Sequence, residues 1–158
     1  MLLLHAQNDS HSRYSAYLAE ILRLEGFADF AELDIEEIKA KTLAQQDLVI
    51  LPRLSTSAAE AELLYNYVAQ GGRLLAFSGD SAWTESLVDV SDESDVFICE
   101  CGLAEPGRPK HVALSQLRQQ RGRLKCGRLL LTHLGQEMLD LLPLPDFEVL
   151  EDGQEFSV

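Results

Sequence analysis

Short apolar runs alternate along this chain with segments of helical period, and few residues separate one from the next. The runs cover residues 1–6, 28–33, 47–51, 73–77, 96–99 and 128–131. Between them apolar side chains recur three and four positions apart, as in Tyr14, Tyr17, Leu18, Ile21 and Leu22, and again in Leu63, Leu64, Tyr67 and Val68. A strand followed by a helix and another strand, with connections this short, winds into βαβ units around a parallel sheet. The expectation is one α/β domain over residues 1–158: three-layer, doubly wound, with a mainly parallel sheet. A chain of 158 residues is long enough to bury a core of that kind.

The punctuation between these segments has physical causes. Gly26 and the pair Gly71-Gly72 stand where helices must end, because glycine takes the left-handed conformation that closes a last turn. Ser57-Ala-Ala-Glu60 is a capping box, and Asp34-Ile-Glu-Glu37 is an approximate one. At residues 77–81 an apolar run stops at Ser78-Gly79-Asp80, and a helix capped by Ser81 is expected to follow, running to about Val90. Glu151-Asp152-Gly153 lies between two short segments, 147–150 and 154–158, and the Asp-Gly pair predicts a terminal β-hairpin.

Charge narrows the partners. The formal charge is −13, and both nucleic acid and anionic membrane demand cationic surface. No apolar run approaches the roughly 20 residues that span a bilayer. Met1-Leu2-Leu3-Leu4 has no basic flank and no long apolar continuation, so it reads as a strand and not a signal segment. Three cysteines, Cys99, Cys101 and Cys126, fit reduced thiols in a cytoplasmic protein. Neither nucleic acid nor membrane is expected as a partner. A homo-oligomer and an unidentified small molecule remain open.

In a parallel sheet the carboxyl ends of all strands open on one edge, where ligands bind. Asp80 falls there after the fourth run, Cys101 after the fifth and His133 after the sixth. A carboxylate with imidazoles suits zinc, iron or manganese. Asp80 and His133 give two ligands, and His11, Asp9 or His111 supplies a third if the loops converge. Asp80 can equally cap the next helix, and His5, Asp9 and His11 can equally form a solvated turn. Arg118, Arg121, Arg123, Lys125 and Arg128 form a basic cluster whose simplest reading is a solvated face.

Two resemblances divide the chain. Tyr17-Leu-Ala-Glu-Ile-Leu-Arg-Leu-Glu-Gly-Phe27, Asp47-Leu-Val-Ile-Leu51 and Tyr67-Val-Ala-Gln-Gly-Gly-Arg-Leu-Leu-Ala76 make residues 13–77 resemble a glutamine-amidotransferase-like, flavodoxin-like domain. That family's catalytic cysteine has no counterpart before Cys99, so the resemblance implies a fold and not amidotransfer. Ser78-Gly-Asp80, Trp83-Thr-Glu-Ser-Leu87, Asp95-Val-Phe-Ile-Cys-Glu-Cys101, His111, Arg128-Leu-Leu-Leu-Thr-His133 and Glu148-Val-Leu-Glu-Asp-Gly153 make residues 77–158 resemble the carboxyl-terminal half of a metallo-β-lactamase-fold hydrolase of the phosphodiesterase or ribonuclease-Z-like branch. The resemblance implies metal ligation by Asp80 and His133 and a proton-donor role for His111. The family's His-x-His-x-Asp-His cluster is absent. Together the two imply a chimera of half-folds joined inside the fourth strand, near residues 72–78.

Three functional readings follow. The first is a recombined or remnant fold without efficient catalysis that keeps part of a metallo-hydrolase site. The second is a metal-dependent hydrolase acting on phosphodiesters, its ligand set completed by the early loop or by a second subunit. The third is a small-molecule or anion-binding module that uses helix amino termini at the same edge.

Overall fold

The computed structural model describes residues 1–6, 12–107 and 110–158, with residues 12–15 described by backbone alone. Among the described residues seven parallel strands form one sheet: β1 (Leu2–His5), β2 (Ala31–Asp34), β3 (Val49–Pro52), β4 (Leu74–Phe77), β5 (Val96–Glu100), β6 (Arg128–Thr132) and β7 (Glu148–Val149). Their order is β2-β1-β3-β4-β5-β6-β7. This is the doubly wound, flavodoxin-like arrangement, in which the winding reverses between β1 and β3. The helices are α1 (Ser12–Leu24), α2 (Ala40–Leu43), α3 (Ala58–Ala69), α4 (Glu85–Ser91), α5 (Leu114–Gln120) and α6 (Gln136–Leu139).

The reversal decides which face each helix covers. A crossover between parallel strands keeps one hand, so a change in winding direction sends the helix to the other side. Accordingly α1 packs Ala19, Leu18 and Leu22 on Leu3 and Ile50. The crossovers after β3 pack Leu64 and Tyr67, Leu87 and Val90, Leu114 and Leu117 on the opposite face, against Leu51, Leu74, Ala76, Phe97, Cys99 and Leu131. Strand alternation sorts the two sets, because neighbouring residues on a strand point to opposite faces.

Several expected local features form. Ser57 Oγ accepts the N–H of Glu60 at 3.3 Å, and the Glu60 carboxylate accepts the Ser57 N–H at 2.6 Å, so the α3 capping box is closed at both ends. Gly26 and Gly71 take positive φ values of 90° and 89° at the ends of α1 and α3. Asp34 caps a single 3-10 turn, Ile35–Glu37, ahead of the short α2.

Two expectations are corrected. First, the terminal hairpin does not form. β7 joins the sheet parallel to β6, with Leu130 opposite Glu148 and Leu131 opposite Val149. The Asp152-Gly153 turn does close, with Gly153 at φ 78° and the Gln154 N–H on Glu151 O at 3.0 Å, but residues 154–158 form no strand. The open edge of β6 offers Val149 a place in the apolar core that an isolated hairpin lacks. Second, the helix expected from Ser81 begins at Glu85, after Thr84: the Ser81 side chain is buried and its hydroxyl caps no N–H of a following turn. At residues 72–78, where the two resemblances meet, β4 is an inner strand of the sheet. It pairs with β3 over its full length and with β5 over three residues, and the winding continues through it in one sense.

The basic cluster of the last third is a set of exposed ion pairs: Arg118 with Asp146, Arg123 with Glu85 and Arg128 with Glu148. Among the described residues no helix is long and apolar enough to cross a membrane.

Candidate metal centre

The site is built where β4, β5 and β6 end side by side. β4 runs into Ser78, whose N–H continues the ladder to Ile98 O at 3.0 Å. Gly79 then turns the chain at φ 58°, a conformation glycine takes at no steric cost. The Ser78 hydroxyl accepts the Glu100 N–H at 2.9 Å and donates to Gly79 O at 2.8 Å. It therefore ties the end of β5 to the turn that presents Asp80.

Glu100 is the centre of the arrangement. It closes β5, is 1% exposed, and carries a carboxylate into the interior. One oxygen, Oε1, accepts two backbone N–H groups, from Ser81 at 3.1 Å and from Val112 at 2.9 Å. The other, Oε2, lies 3.0 Å from His111 Nδ1. A buried carboxylate is tolerated only with partners of this kind. The pairing also locks three segments together: the turn after β4, the end of β5 and the loop before α5.

His133 completes the group. It follows β6 directly and adopts a left-handed φ of 55°, which a non-glycine residue holds only when its surroundings enforce it. Its imidazole stacks on that of His111, with ring centroids 5.5 Å apart and planes 17° apart. Its Nδ1 lies 3.4 Å from Asp80 Oδ1. Two glycines permit this approach. A Cβ on Gly102 would lie 3.2 Å from the His111 ring, and a Cβ on Gly135 would lie 2.3 Å from Gly102 O. The loops after β5 and β6 thus touch backbone to backbone.

Glu100, His111 and His133 each offer a ligand atom within 4.8 Å of the others. A metal with bonds of about 2.0–2.2 Å separates its tetrahedral ligand atoms by about 3.3–3.6 Å. The Glu100–His111 distance of 3.0 Å is already near that spacing. Glu100 is held by burial and two backbone amides, and His133, half exposed, brings the third donor within 4.8 Å of the other two. Two histidines and one carboxylate leave positions open for water or substrate, as catalytic zinc and non-haem iron sites do. Asp80, on Nδ1 of His133, is placed to orient that ring and leave its other nitrogen for the metal. Ser81 Oγ is, among the described residues, the buried side-chain oxygen without a hydrogen-bond partner.

The sequence-derived candidates are thus partly assembled. Asp80, His111 and His133 come together. His11 and Asp9 lie outside the described residues. His5 pairs with Asp34 at 3.6 Å, three strands away from β5 in the sheet order. The cysteines take no part: burial pushes the Cys101 thiol up to about 12, and Cys99 higher still, so neither offers a thiolate. Glu100 was missed. Its signal was a carboxylate ending the otherwise apolar run Val96-Phe-Ile-Cys99, at the edge where ligands bind.

No protein-family model matches the chain. The uncharacterized protein ML1173 of Mycobacterium leprae is 33% identical over 90 residues, which is 55% of this chain and 31% of that protein. The chain thus spans about a third of the length of the curated relative it matches. Among solved structures, two-electron reduced Megasphaera elsdenii flavodoxin aligns over 89% of each chain at 12% identity, with a TM-score of 0.39. The fold assignment rests on the strand order itself, and neither the amidotransferase nor the metallo-β-lactamase resemblance has a counterpart among these relatives.

Proposed function

We propose that this chain is a metal-binding α/β domain that holds one divalent transition metal, zinc, iron or manganese, through Glu100, His111 and His133, with Asp80 orienting His133. The observation that carries this reading is the convergence of those three donors at the carboxyl edge of the sheet. Metal-activated water is the chemistry open to such a centre, because three protein donors leave a coordination position free. The metal-dependent hydrolase reading keeps its place on that ground and not on the family resemblance. Neither the early loop nor a second subunit is needed to reach three donors, since Glu100 supplies the missing one.

The test is metal content by plasma mass spectrometry on protein purified without chelator or affinity tag, beside zinc titration of the chelated protein. The expected result is about one equivalent per chain, lost in Glu100→Gln and His133→Ala. Wild-type protein that stays folded and metal-free under zinc saturation would overturn the proposal and leave the remnant reading in its place.

A further inference from the structure

A cavity of about 830 Å³ opens beside His133, between β6, α6 and the segment that leads into and out of β7. It is within the roughly 300–1,000 Å³ typical of small-ligand sites. Its walls are mostly apolar, with Leu134, Leu139, Leu142, Phe147, Val149 and Leu150 among them. Leu139 and Leu142 remain 47% and 40% exposed. Thr132, His133, Glu151 and Asp152 supply its polar lining. His133 therefore belongs at once to the donor set and to an apolar chamber.

This juxtaposition defines a ligand. We infer that the cavity receives the apolar body of an acyl monocarboxylate, or of its ester or amide, whose oxygen head ligates the metal beside His133. The inference rests on the metal reading above. A metal dication together with the Glu100 and Asp80 carboxylates leaves the centre close to neutral, so an oxygen donor can enter its open position. The walls favour a body without charge, because burying a charged group unpaired is costly. Glu151 and Asp152 in the lining repel any carboxylate that the metal does not hold, which selects a mono- over a dicarboxylate. A body of several methylenes can cover the leucines and Phe147 of this open cavity, and acetate cannot.

The experiment is calorimetric titration of the zinc-loaded and the chelated chain with octanoate, acetate and octanedioate. Octanoate is expected to bind the zinc-loaded chain at least about 50-fold tighter than acetate, the gain if three of its methylenes leave water. Octanedioate is expected to bind at least about 10-fold weaker than octanoate, and Leu139→Asp and Leu142→Asp to weaken octanoate binding by a similar factor. The two exposed leucines serve as alternatives should one variant fold poorly. Stoichiometric zinc uptake with no octanoate binding would overturn this inference and leave the metal centre standing. Octanoate binding of equal strength with and without zinc would also overturn it, because the head would not be on the metal. Absence of zinc uptake would overturn both.

Discussion

Glu100 offers the sharpest test of how this site is held. Glu100→Ala removes the acceptor of two buried N–H groups, those of Ser81 and Val112, at 3.1 and 2.9 Å. Each buried donor left unpaired costs roughly 1–3 kcal/mol, so the loss should be about 4 kcal/mol in all. That is a large part of a typical stability of about 5–15 kcal/mol. Glu100→Gln keeps an oxygen where both amides point. It exchanges charge-assisted bonds for neutral ones and relieves a buried charge, so its cost should be about 1–2 kcal/mol. Urea unfolding at neutral pH, with chelator present to remove metal linkage, measures both. Repeating it with zinc adds a second readout: metal that binds only the folded chain stabilises it by mass action, and the gain should vanish in Glu100→Gln. If Glu100→Ala lay within about 1 kcal/mol of wild type, or if Gln were as damaging as Ala, the carboxylate would not be what joins the β4 turn to the loop before α5.

Other consequences follow from the same geometry. His133 is left-handed at φ 55°, so His133→Gly should be about 1 kcal/mol more stable than His133→Ala in urea melts, while both lose metal. Gly135→Ala drives a Cβ to 2.3 Å from the Gly102 carbonyl oxygen, and a backbone atom cannot rotate away. The loops carrying His111 and His133 must then part, with a cost of about 1–3 kcal/mol in unfolding and weaker zinc binding. At alkaline pH the buried Cys99 and Cys101 thiols stay protonated in the folded chain, while in the unfolded chain they ionise near their ordinary value of 9.0. The folded state then holds more protons, so stability is full below about pH 9 and falls as pH rises toward 12, which urea midpoints across that range will record. Ellman's reagent should leave both thiols unreacted in the native chain and titrate them in denaturant.

The winding of the sheet was legible because it depends on local periodicity. Short apolar runs, helical spacing, the Ser57–Glu60 box and the terminating glycines are properties of neighbouring residues, and they produced the parallel α/β fold directly. The Asp-Gly turn at 152–153 was equally local and does form. What it joins was not local: β7 gains more from the open edge of β6 than from pairing with its own tail. The start of α4 was not local either, since Ser81 is drawn into the interior, where a carboxylate nineteen residues away accepts its N–H. The site divides along this line too. Asp80, His111 and His133 could be nominated singly, because each stands at the end of a strand or loop on the ligand-bearing edge. That they meet was decided by the side-by-side order of β4, β5 and β6 and by two glycines that let the loops touch. Glu100 had one local signal, its place at the end of an apolar run, and gained its weight only in three dimensions. In sequence it is one acid among 26 acidic residues. In the fold it is a carboxylate buried at the junction of three segments, and burial turns an ordinary charge into a group that must be answered by every neighbour it has.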